Sequence, residues 1–140
     1  MYELLLKLHS WWAWLAMIVL FAGIINALMG YGANRDYEAK DLRISLFGLI
    51  FTHIQLVLGL LLYFVSPVGL KVLGEMKNET LRLTSLEHPL VNIIAIVLIT
   101  IGWSQHKKAH MDDKFKKILI FYSLGFILLM SRIPWVSWLS

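Results

Sequence analysis

The chain has no cysteine. That excludes a disulfide scaffold, a thiol redox centre and a zinc site built on thiolates. Charge is scarce as well. Asp, Glu, Lys and Arg make up 16% of the 140 residues, against about a quarter in an average soluble domain. With 59% hydrophobic residues, the composition also excludes disorder. The usual catalytic signatures are missing: there is no nucleophile elbow and no H-E-x-x-H. No two carboxylates share an apolar segment, so catalysis by the chain alone is not expected. Neither an internal repeat nor a low-complexity tract interrupts the pattern.

What remains is four apolar stretches, at about 8–29, 42–65, 86–105 and 118–137, with nearly all charged residues between them. Each holds roughly 20 residues, the length a helix needs to cross ~30 Å of hydrocarbon. The expected fold is therefore all-α, one integral membrane four-helix up-down bundle over 1–140, with no room for a soluble domain. The first stretch exceeds the ~7–15 residues of a signal-peptide core, and no A-x-A-like site follows it, so it is read as a span. The net charge of +4 lies in membrane-flanking loops and gives no argument for nucleic acid.

Loop charge sets the expected orientation. Arg35, Lys40, Arg43, Lys107, Lys108, Lys114, Lys116 and Lys117 lie in loops one and three, against Lys7, Lys71, Lys77, Arg82 and Arg132 elsewhere. The positive-inside rule places the richer loops in the cytoplasm and both termini outside. Trp11, Trp12 and Trp14 open span one and Trp135 and Trp138 close span four, which puts both ends at one interface. The second loop, 66–85, suits either a solvated external loop or a short interfacial helix.

Five histidines carry the chemical interest. His106 and His110 stand among lysines at the end of span three, where cationic groups suit a helix C-terminus and lipid phosphates. His9 and His88 open two parallel spans, one and three, at a similar shallow depth; Ser85 is the expected N-cap before His88. In an up-down bundle those spans lie diagonally across the core. Two histidines facing each other at one depth make the arrangement of a bis-histidine haem. Below His9 on the same face run Ala13, Ala16, Leu20, Gly23 and Ala27. Below His88 run Asn92, Ala95, Ile99, Gly102 and His106. Such small-residue stripes leave a slot for a flat macrocycle, and equally allow close helix packing with no ligand. For His9 and His88 as the iron pair, ring nitrogens should be ~4 Å apart, about two metal–nitrogen bonds.

His53 lies ~18 Å from either end of span two, beside the stripe Ser45, Gly48, Thr52, Gln55 and Gly59. Its plain reading is a buried neutral imidazole, hydrogen-bonded and turned away from lipid. Its functional readings are an alternative axial ligand, a proton-relay group or part of a quinone pocket. As an iron ligand it would need a helix displacement of ~10 Å, almost two turns. Arg132, near the end of span four, either snorkels to headgroups or pairs with haem propionates as a cofactor-binding residue.

Several segments are similar to a known family. They are Leu-His9-Ser10, Thr52-His53-Ile-Gln-Leu-Val-Leu-Gly59-Leu-Leu-Leu-Tyr63-Phe-Val-Ser-Pro67, Glu87-His88-Pro, Lys114-Phe-Lys-Lys and Arg132-Ile-Pro134-Trp135. Together they resemble the small four-span bacterial membrane proteins known as cytochrome B, over nearly the whole chain. More generally, the architecture looks like one half of haem A synthase. The resemblance implies haem b, electron transfer in a bacterial inner membrane, and His9, His53 and His88 as the histidine positions, without saying which two hold iron. Quinone or a respiratory redox subunit would be the partner. Two other classes compete: a cofactor-free accessory or assembly subunit of a larger membrane complex, and a copper- or zinc-handling protein. The latter is disfavoured by unequal histidine depths and the lack of cysteine or Met-rich motifs.

Overall fold

The computed structural model describes residues 1–139; the last position of the single domain expected over 1–140 lies outside the described residues. Among them the structure is all-helical. α1 spans Tyr2–Gly32, α2 Ala39–Val65, α3 Glu79–Arg82, α4 His88–Lys108, α5 Lys114–Ser131 and α6 Trp135–Leu139. Three helical runs, Tyr2–Gly32, Ala39–Val65 and Glu79–Lys108, are long and apolar enough to cross a membrane. α5 is apolar too, but Lys114, Lys116 and Lys117 occupy its first turn. Large apolar side chains such as Ile18, Val57, Phe64 and Ile127 stand exposed on the outer faces. An apolar surface of this extent suits lipid rather than water.

α1 packs on α2 and α5, and α4 packs on α5 and α2. α1 and α4 therefore oppose each other across the centre. Their inward faces are the small-residue stripes: Ala16, Leu20, Gly23 and Ala27 on α1, and Ala95, Ile99, Gly102 and His106 on α4, are all buried. The dense core lies toward the loop-one end, where Leu20, Ile24, Ala27, Ile99, Phe115, Ile118 and Tyr122 cluster. Gly30 has no side chain because the Phe115 ring fills that space. Gly30→Val is therefore expected to overpack this end and cost about 1–3 kcal/mol. An unchanged thermal midpoint in detergent would contradict the packing described.

Two helix ends differ from expectation. The third span does not start from Ser85. Asn78 caps α3, its side chain accepting from the Leu81 N–H at 3.1 Å, and the helix continues through a π-helical turn at Leu83–Glu87 into α4. Part of the expected loop 66–85 is thus helical. The fourth span does not run unbroken to 137. It stops at Ser131 because Pro134 has no N–H to continue the ladder and disfavours helical geometry at Ile133. Arg132 therefore sits in the break, just past the end of α5, rather than within the span.

The α1–α2 connection is held by buried polar groups. Asn34 takes a positive φ of 55° to turn the chain, a conformation asparagine tolerates better than most residues. Asp41, 0% exposed, accepts from both guanidinium nitrogens of Arg35 (2.9 and 3.1 Å), from Asn26 (2.9 Å) and from the Glu38 N–H (2.8 Å).

Candidate functional site

At the end opposite the dense core the four main helices part around a cavity of about 450 Å³, within the ~300–1,000 Å³ of ligand and cofactor sites. His9 and Ala13 line it from α1, Gln55 and Gly59 from α2, and His88 and Asn92 from α4. Val68 and Gly69 of the second loop and Trp138 of α6 also contribute to its wall. Tyr63 ties α2 to the π-helical turn, its hydroxyl donating to the Ser85 carbonyl at 2.8 Å.

His9 and His88 face each other here. Their ring centroids are 6.2 Å apart and their planes 83° from parallel. A metal–imidazole bond of ~2.0 Å, lengthened by ~1.1 Å from nitrogen to ring centre, puts two axially opposed rings ~6.2 Å apart. The centroid separation thus fits two imidazoles that would hold one metal between them.

The anchoring of each ring follows from its helix. The Arg132 carbonyl falls at the break after α5 and has no further turn of helix to bind it. It accepts from His88 Nδ1–H at 3.0 Å. That hydrogen bond assigns the proton to Nδ1 and leaves Nε2 as the ring's acceptor atom, the usual way an imidazole is oriented as a ligand. The Asn92 amide nitrogen lies 3.3 Å from both nitrogens of the same ring. His9 is seated against Gly59, where an added Cβ would stand 3.1 Å from His9 Cε1. Its backbone is clamped by Gln55, whose Nε2 donates to the His9 carbonyl at 2.8 Å. One helical turn on, Trp12 Nε1 donates to the Phe51 carbonyl at 2.9 Å. Gly59→Leu is expected to push the His9 ring out of place with the helices intact. The check is an unchanged helical circular dichroism spectrum beside displaced His9 ring resonances in the NMR spectrum of the same protein.

His53 is not part of this cavity. It is half-buried at the α2–α4 seam and borders a shallow outer groove with Leu49, Ile50 and Val57. Its Nδ1 donates to the Leu49 carbonyl at 2.7 Å, one turn back, and its Nε2 lies 3.3 Å from Thr100 Oγ1. The expected hydrogen bonding is present, but the ring is not buried inside the bundle. A residue next to Thr52, which is buried, is turned by 100° away from the core.

Arg132 contributes its carbonyl rather than its charge. Its guanidinium stays outside the cavity, half-exposed, with Nε 3.8 Å from a Glu87 carboxylate that Arg82 holds at 2.8 Å. Arg132 itself does not line the cavity, although Ile133 and Pro134 beside it do.

Sequence reasoning missed the polar cluster at the far end. His106 is 0% exposed rather than lipid-facing. Its Nδ1 donates to the Trp103 carbonyl at 2.9 Å, so Nε2 accepts from the Tyr37 hydroxyl. Burial pushes the Tyr37 phenol up to about 12, which keeps it a donor at any physiological pH. Lys114 closes the α4 C-terminus by donating to the His106 and Lys107 carbonyls. The signal was available, since His106 stands on the same face as His88, Asn92, Ala95, Ile99 and Gly102.

Among the described residues, no three His, Asp or Glu side chains converge as a set for a bare metal ion. The donor set at the cavity is two imidazoles, which suits a metal whose other ligands come from a macrocycle. No family model, curated protein or solved structure matches the chain.

Proposed function

We propose that the protein is a membrane b-type cytochrome, an electron-transfer protein whose haem is held between His9 and His88 near one face of a four-helix up-down bundle. The observation that carries this reading is the pair of imidazoles, 6.2 Å apart across the bundle and bordering a cavity of about 450 Å³. In this reading α5 is the fourth span, its three first-turn lysines lying at the headgroups of the cytoplasmic face.

When bound, haem b supplies reversible one-electron redox chemistry. The chain does the rest. His88 presents Nε2 because Arg132 holds its Nδ1 proton, and His9 is kept opposite by Gln55 and Gly59. Ala13, Ala16 and Ile96 give the slot apolar walls, and such walls keep water from the metal and raise the influence of each nearby dipole. The electron partner is a lipid-soluble quinol or a membrane redox subunit, because the surroundings of the bundle are apolar.

Haemin titration of the purified full-length chain tests this. The expected result is a red protein with a Soret band that saturates at one haem per chain and a b-type pyridine haemochrome. A chain that stays colourless contradicts it and leaves the cofactor-free accessory subunit as the better reading. The bundle is further expected to place both termini outside the bacterial inner membrane. Cysteines introduced at Asp36 and Asp112 should be labelled only from the cytoplasmic side; labelling from outside would invert the orientation.

A further inference from the structure

The two imidazoles are anchored unequally. His88 Nδ1 has the Arg132 carbonyl, whereas His9 Nδ1 is buried with no hydrogen-bond partner. Only three other buried side-chain polar atoms among the described residues share that condition: Gln55 Oε1, Asn92 Oδ1 and Ser85 Oγ. His9, Gln55 and Asn92 all line the one cavity. An unsatisfied buried polar atom is costly enough that several gathered at one place call for a reason.

The Gln55 amide cannot be turned over to remove the problem. Its nitrogen must face the His9 backbone carbonyl, which can only accept, at 2.8 Å. Its oxygen, on the same amide carbon, is therefore left as a bare acceptor. Gln55 and Gly59 are four residues apart on α2 and share a face. The His9 ring rests on Gly59, with Nδ1 3.5 Å from where a Cβ would stand. A bare acceptor and a nitrogen without an acceptor thus meet the same short stretch of α2.

We infer that Gln55 is the positioning residue of His9, clamping its backbone carbonyl through Nε2 and taking its Nδ1 proton on Oε1, so that Nε2 is the nitrogen presented to the cavity. His9 then gains through a side chain what His88 has through the Arg132 carbonyl. Closing that contact would satisfy two of the orphaned atoms at once. This rests on the cytochrome reading for its purpose but not for its test.

The test is the tautomer of His9 by ¹⁵N NMR, on the full-length chain in detergent micelles before haem is added. The His9 resonances are identified by their loss in His9→Gln. The expected result is a predominantly Nδ1-protonated ring. Gln55→Met, which keeps the volume and removes the acceptor, should shift the ratio toward Nε2–H about fivefold to tenfold, the equivalent of one hydrogen bond. Gln55→Glu keeps an acceptor and loses the backbone clamp, so it should retain the Nδ1–H form. An Nε2-protonated His9 in the unaltered chain overturns the inference, whatever the variants do. So does a Gln55→Met protein with an unchanged tautomer. Failure of the haem reading shows separately, as no Soret band when haemin is added to that sample.

Discussion

His9→Ala and His88→Ala are each expected to abolish six-coordinate low-spin haem in the purified protein, while His53→Ala keeps it. His9 and His88 stand on opposite helices 6.2 Å apart at one cavity, and in the proposed reading each would supply one of the two protein ligands. With one ring gone no second imidazole remains to complete the pair, because the other three histidines do not line the cavity. His53 is engaged with Leu49 and Thr100 on the outer seam, and reaching the cavity would require α2 to turn. The absorbance of the three variants decides between the pairings. A His53→Ala protein without a Soret band, beside a His9→Ala protein that retains one, would contradict the assignment.

The largest effect on stability is expected at the opposite end. Asp41→Ala removes the acceptor for four hydrogen bonds, two from Arg35, one from Asn26 and one from the Glu38 N–H. Breaking a buried ion pair by deleting one partner costs about 3–5 kcal/mol. Arg35 keeps part of its guanidinium in solvent, with 31% of its side chain exposed, so its stranded charge can turn to water. A loss of about 2–3 kcal/mol is therefore expected, or a thermal midpoint lower by about 5–10 °C. Asp41→Asn should lose less, because the amide oxygen can still accept. Thermal unfolding of the three proteins in one detergent is the measurement, and an Asp41→Ala midpoint equal to that of the unaltered chain would show the cluster to be idle.

The helical class, the inward faces and the diagonal placement of α1 and α4 were all legible in the sequence. Small residues recurring at helical spacing below His9 and His88 mark buried faces, and those faces are buried. Placing His9 and His88 at one end needed only depth counting along two parallel helices. Depth says nothing of rotation, however. His53 has the right periodic neighbours in Ser45, Gly48 and Thr52, yet lies one residue off their face. The π-helical turn at Leu83–Glu87 was not legible either. Nothing in Leu-Thr-Ser-Leu-Glu separates it from an ordinary α turn, and Ser85 looks like a cap. Arg132 shows a different limit. Its charge drew attention, while the contact it makes at the cavity is through a carbonyl left open where α5 ends. The Asp41 cluster needed partners from α1, the loop and α2 together, and no single segment announces it.

The central claim is that one iron is held between His9 and His88 in their observed relation. Their planes are close to perpendicular, at 83°. In low-spin ferric haem, perpendicular axial imidazoles leave the iron d orbitals nearly degenerate, and that makes the magnetic anisotropy unusually large. Electron paramagnetic resonance of the oxidised, haem-loaded full-length protein at liquid-helium temperature therefore tests ligation and geometry together. The account predicts one strongly anisotropic low-spin signal with a single large g value, absent from both His9→Ala and His88→Ala. A high-spin signal in the unaltered protein, or a low-spin signal that survives removal of His9, would contradict it.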